Sequence, residues 1–148
     1  MSDEQESESQ AAFDTARPPG VLMSLAIIIL QIVTYGISAN IIATEYLGLG
    51  VRGGYTLTML VTASLFPANL MINFGRPQAL KFIRFGILFF AALAVPALFF
   101  SDKHLLWLML PIVSGGLAFL ISKSEPYMQF VAFYKVIWGR HRKNKRRI

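Results

Sequence analysis

Residues 21–43 read VLMSLAIIILQIVTYGISANIIA and carry no charged side chain. A helix needs about 20 mainly apolar residues to cross a hydrocarbon core about 30 Å thick, and this stretch is long enough. Secretion signals combine a basic start with a short apolar core of about 7–15 residues. Here the preceding segment, Met1 to Asp14, holds five acids and no base, and the apolar run is too long. The stretch therefore reads as a retained transmembrane helix.

The same pattern recurs along the chain. Uncharged runs occupy residues 18–44, 53–75, 85–101 and 105–122. The two shorter runs are flanked by Arg84 and Lys123, whose stems can lie along apolar surface while the charge reaches the headgroups. Composition agrees: 55% of residues are hydrophobic and 15% charged, with a mean hydropathy of +0.54. Soluble chains average about 25% charged residues. The expected fold is an all-α integral membrane protein, a four-transmembrane-helix bundle with helices over about 21–44, 56–74, 80–100 and 105–122.

The basic residues orient this bundle. With four spans, one side collects Arg17, Arg76, Lys81, Arg84, Lys123, Lys135, Arg140, Arg142, Lys143, Lys145, Arg146 and Arg147. The other side holds Arg52 and Lys103 alone. Cytoplasmic loops carry the excess of Lys and Arg, so both termini are expected in the cytoplasm. Tyr46, Tyr55 and Trp107 fall at the outer helix ends, and Tyr127, Tyr134 and Trp138 near the inner boundary, where amphipathic rings favour the headgroup level. The setting expected from this pattern is a bacterial inner membrane.

Outside the spans, residues 1–17 are acidic and polar and read as a disordered tail. YLGLGVRGGY (46–55) reads as an outer loop whose glycines turn the chain, with Glu45 and Arg52 as a local ion pair. Each of the last three helices carries one proline, Pro67, Pro96 and Pro111, expected to kink it. Ser124-Glu125-Pro126 has the form of a helix start, a hydroxyl cap followed by an acid and an early proline. It opens an aromatic segment, 124–139, that either lies in the interface or extends the fourth helix. A basic tail, 140–148, follows. Taken alone, GRHRKNKRRI suggests nucleic acid. Behind a membrane boundary it reads instead as a topology determinant and as a partner for anionic lipid headgroups.

Chemistry is sparse. The chain has no cysteine, which removes thiolate catalysis and thiolate metal sites. Five of eight acids are in the first 14 residues; the others, Glu45, Asp102 and Glu125, sit at helix ends, and His104 and His141 lie outside the expected membrane core. General acid–base work needs a titratable group in reach, so no catalytic residue, cofactor or metal is expected. The informative residues are uncharged. Ser24, Gln31 and Ser38 recur every seven positions in the first helix, with Thr34 beside them; Thr58, Thr62, Asn69 and Asn73 share one face of the second. These stripes read as glue within the bundle, as of Gln31 with Asn69, as a docking face, or as a polar solute path. In the fourth helix, Ser114-Gly115-Gly116 permits close approach. The function expected is non-enzymatic: an accessory, assembly or immunity-type protein contacting a larger membrane partner, with a homo-oligomeric transporter or channel subunit as the alternative.

Deleting 140–148 removes half of the bases on the crowded side. Reporter fusions in the 101–104 loop are then expected to show mixed orientation. Uniform insertion would show that Arg76, Lys81 and Arg84 suffice.

Overall fold

The computed structural model describes residues 20–145, with side chains through His141. The segment 1–17, Arg146 and Arg147 lie outside the described residues, as do the side chains of Arg142, Lys143 and Lys145. Among the described residues every regular element is helical. Helix α1 (Val21–Ile41) continues through a π-helical turn, Ile42–Tyr46, and the two make the first span. The second span consists of α2 (Val51–Ala63) and α3 (Leu65–Asn73), the third of α4 (Ala79–Ala94) and α5 (Ala97–Phe100). The fourth is α6 (Leu105–Lys123), and α7 (Glu125–Lys145) follows it. All four spans are long and apolar enough to cross a membrane.

The spans run up and down. Gly20, the 74–78 turn and α7 gather at one end, here the terminal face; loops 47–50 and 101–104 gather at the other, the loop face. Large apolar side chains such as Leu22, Ile29, Phe82, Phe99, Leu106 and Leu120 point outward. That surface suits hydrocarbon as solvent. The interior holds one cluster toward the terminal face, around Ile27, Ile83, Ile87 and Ala118, and a smaller one near the loop face, Ile41, Ala94, Ala97 and Leu108.

Several expected boundaries shift for physical reasons. The second span starts at Val51 rather than near 56, so the outer loop shrinks to 47–50. Gly54 is buried against Asn40 and Ala43 within the helix, so it packs the start of the second span beside the first rather than turning the chain. Of the three prolines, two coincide with breaks. Pro67 follows an interruption at Ser64, and Pro96 separates α4 from α5. Each lacks the N–H that would continue the helical ladder. Around Pro96 the backbone tightens, with Val95 N donating to Ala92 O and Phe99 N to Pro96 O. Pro111 instead sits inside an unbroken α6.

At Ser124 the backbone is extended (φ −65°, ψ 148°), so α7 is a separate helix and not a prolongation of the fourth span. The Ser124 hydroxyl donates back to Ile121 O at 2.7 Å, closing α6 instead of capping α7 as its sequence position suggested. The helix runs on to Lys145, through residues read above as tail. Its inward face carries Tyr127, Phe130 and Val131, with Tyr134 and Trp138 continuing the stripe at helical spacing. Along this length it meets the terminal ends of all four spans. Pro126 and Phe130 lie against Gly20, Met128 meets Arg84 beside Ser122, and Tyr134 and Trp138 lie against Gly75. Trp138 Nε1 donates to Asn73 O at 2.7 Å, and its ring meets Phe74 edge-on. The helix thus lies across the end of the bundle.

Gly20 (φ 74°) and Gly75 (φ 70°) adopt the left-handed backbone where α7 crosses. A Cβ on Gly75 would come to 2.7 Å from Trp138 Cβ and Tyr134 O. Gly75→Ala therefore combines about 1 kcal/mol of backbone strain with a collision. It is expected to lower the unfolding free energy in detergent by more than that 1 kcal/mol, while Gly116→Ala, at an open helical position, leaves it within about 0.5 kcal/mol.

A polar hub on the first span as candidate functional site

Three side chains of the first span, Gln31, Thr34 and Ser38, are fully buried. They lie three and four residues apart and share one broad face. Each reaches a different neighbour. Asn69 Nδ2, on the second span, donates to Gln31 Oε1 at 3.0 Å, and also to Leu65 O within its own helix. The Thr34 and Ser114 hydroxyls pair at 2.8 Å, joining the first span to the fourth. Ser38 Oγ donates to Phe90 O at 2.7 Å, joining it to the third. The stripe is therefore internal at these three positions.

The other expected members are placed differently. Ser24 is half-buried near the helix start, its N–H bonded to Gly20 O. Thr58 and Thr62 are half-buried and pack on Gly36, which brings the first two spans together. The Asn73 side chain is exposed, and only its backbone oxygen is used, by Trp138. Two buried polar atoms have no hydrogen-bond partner among the described residues, Gln31 Nε2 and Thr58 Oγ1. A buried unpaired donor costs about 1–3 kcal/mol. Both atoms line the seam between the first and second spans.

Close packing supports the hub. Gly115 faces Thr34 and Ala91; a Cβ there would approach Ala91 Cβ to 2.8 Å. Gly116 faces open space, so the small-residue motif acts through Ser114 and Gly115. Tyr35 lies over Gly86, where a Cβ would strike its hydroxyl, and its ring meets Phe90 in a tilted contact at 4.3 Å between centroids.

The charged residues hold the two ends. At the loop face, Glu45 pairs with Lys103 at 3.0 Å, across the bundle, and not with Arg52. Lys103 Nζ also donates to Thr44 Oγ1 at 2.6 Å. The π-helical turn carries Glu45 and Tyr46 toward the third span, where Tyr46 OH donates to Leu93 O at 2.7 Å, next to the Pro96 break. At the terminal face, Arg76, Lys81 and Arg140 are exposed. Arg84 is half-buried and binds the end of the fourth span, with Nη2 donating to Ser122 O at 2.6 Å and Nε to Ser122 Oγ at 3.2 Å. Its sequence position at a span rim signals snorkelling; the cap on Ser122 depends on a residue 38 positions away and left no local pattern. Ser114 and Lys103 were likewise invisible as partners.

Chemically, the hub consists of amides and hydroxyls, groups that hold helices by hydrogen bonds and do not exchange protons near neutral pH. No group of three or more His, Asp or Glu side chains suited to a metal lies among the described residues. No protein-family model matches the chain, and neither a curated protein nor a solved structure shows significant similarity to it.

The unpaired Gln31 Nε2 makes an ordering of variants. Asn69→Leu leaves the whole Gln31 amide without a partner and is expected to cost about 1–3 kcal/mol. The Gln31→Leu/Asn69→Leu double variant removes both polar groups and is expected to be more stable than the single one. Unfolding measured in the same detergent for the two proteins checks the order.

Proposed function

We propose that the chain is a non-enzymatic protein of a bacterial inner membrane, with both termini cytoplasmic, that acts through helix contacts with a larger membrane protein in an accessory, assembly or immunity-type role. The observation that carries this reading is the second span. It is the least apolar of the four and the least covered by the rest of the chain. It is broken at Ser64, in mid-span, and its outward side presents Thr56, Leu60, Ala63 and Ser64. Small and hydroxylated residues on a lipid-facing side favour close approach of another helix. The other three spans use their polar side chains internally, which leaves this face as the place for a partner. Orientation follows from the basic residues at the terminal face, where α7 then lies in the cytoplasmic interface as an amphipathic helix.

The alternative, a transporter or channel subunit working as a homo-oligomer, draws on one observation. Gln31 Nε2 and Thr58 Oγ1, unpaired in the first–second seam, are atoms that water or a solute would satisfy. The accessory reading is favoured because the membrane-embedded stretches between span ends lack the acidic groups that ion-coupled transport uses.

Photo-crosslinking amino acids at Leu60 and Ala63, with matched positions at Leu106 and Leu120 on the fourth span, test it in cells. Discrete protein adducts are expected from the second span only. Adducts to the chain itself, together with saturable solute uptake by proteoliposomes of the purified protein, would replace the accessory reading with the transport one.

A further inference from the structure

Arg84 poses an electrostatic problem that its capping bonds do not solve. It lies five residues into the third span, roughly 8 Å along the helix axis from Ala79. It is half-buried, and no carboxylate lies within ion-pair distance of it among the described residues. Its bonds to Ser122 and its contact with Met128 Sδ at 3.6 Å use Nε and Nη2 and supply no negative charge beyond a helix C-terminus. Glu125, the next acid along the chain from Ser122, is exposed and engaged by Gln129 at 3.3 Å. A cation at the edge of hydrocarbon without a counter-charge is costly, so an anion belongs there.

The surroundings indicate which anion. Lys81 is one turn before Arg84 on the same helix face and is exposed. Lys123 directly follows the Ser122 that Arg84 grips, and its ammonium sits 4.3 Å over the Phe119 ring. Lys81 and Arg84 on the third span and Lys123 on the fourth thus lie near the terminal end of the groove where these two spans meet through the Arg84–Ser122 contact. The outward surface beside them is apolar, with Phe85 and Leu120 exposed. A soluble anion would gain from the charges alone, whereas a phospholipid gains from both.

We propose that this groove is a specific site for an anionic phospholipid, whose phosphate is held by Arg84, Lys81 and Lys123 and whose chains lie along the third and fourth spans. Basic pockets between spans on the cytoplasmic side bind such headgroups. The proposed site does not include the basic run 140–148.

Native mass spectrometry of the full chain, with phosphatidylglycerol or phosphatidylcholine added in mild detergent, tests the site. One phosphatidylglycerol is expected to be retained per chain in preference to phosphatidylcholine. Lys81→Gln and Lys123→Gln leave the Ser122 cap intact and are each expected to weaken retention about fivefold. Arg84→Gln is expected to abolish it, and deletion of 140–148 to preserve it. In a thermal melt the same lipid is expected to raise Tm and inorganic phosphate to leave it unchanged. Equal retention of both lipids, insensitivity to the two lysine variants, loss on deleting 140–148, or a matching Tm rise with inorganic phosphate would each overturn the proposal.

Discussion

Hydrocarbon offers a polar side chain no partner, so an amide or hydroxyl within a span gains by finding one inside the protein. The first span turns that constraint into an arrangement. Gln31, Thr34 and Ser38 are turned away from lipid, and each bonds to a different neighbour, the second, fourth and third spans respectively. The three bonds locate the other helices around α1, and apolar packing fills the space between. Each is individually weak, averaging about 0.6 kcal/mol in membrane proteins. Their weight is directional. A helix rotated by one residue would turn its polar group into lipid and lose the partner together.

The two ends are closed by different means. At the loop face, Glu45–Lys103 and Tyr46–Leu93 tie the end of the first span to the third span and the loop after it. Tyr46 also supplies a donor near the carbonyls disturbed by Pro96, so the proline break and the tyrosine belong to one local solution. At the terminal face, Arg84 caps the fourth span, and α7 spreads across all four. The second span is held least. Its polar contacts are the Gln31–Asn69 bond and the Trp138–Asn73 bond, and much of its surface remains outside the bundle.

Much of the architecture was legible in the residues. The four charge-free runs mark the four spans because length and hydropathy are local properties. The seven-residue recurrence in the first span marks its inward face, because helical periodicity converts spacing into direction. Features that depend on two distant segments left no such trace. Glu45 has Arg52 nearby in sequence, yet the π-helical turn aims it at Lys103. Gly54 looks like a turn former, yet it sits inside the second span, buried against Asn40 and Ala43 of the first. Ser124 carries the composition of a cap, and its hydroxyl turns back to Ile121 O, which also accepts the Ser124 N–H at the end of the fourth span. The second stripe was legible as polar but not as divided, since only packing decides that Asn69 meets Gln31 while Asn73 stays outside.

The crossing of α7 has a consequence in time. It contacts the ends of all four spans, so its binding site exists only once the last span is in place. Its residues also emerge from the ribosome after those of the spans. The four helices are therefore inserted with an unclosed end, and Tyr127, Phe130 and Val131 arrive to shut it. Emergence of α7 is thus the event that closes the terminal end of the bundle.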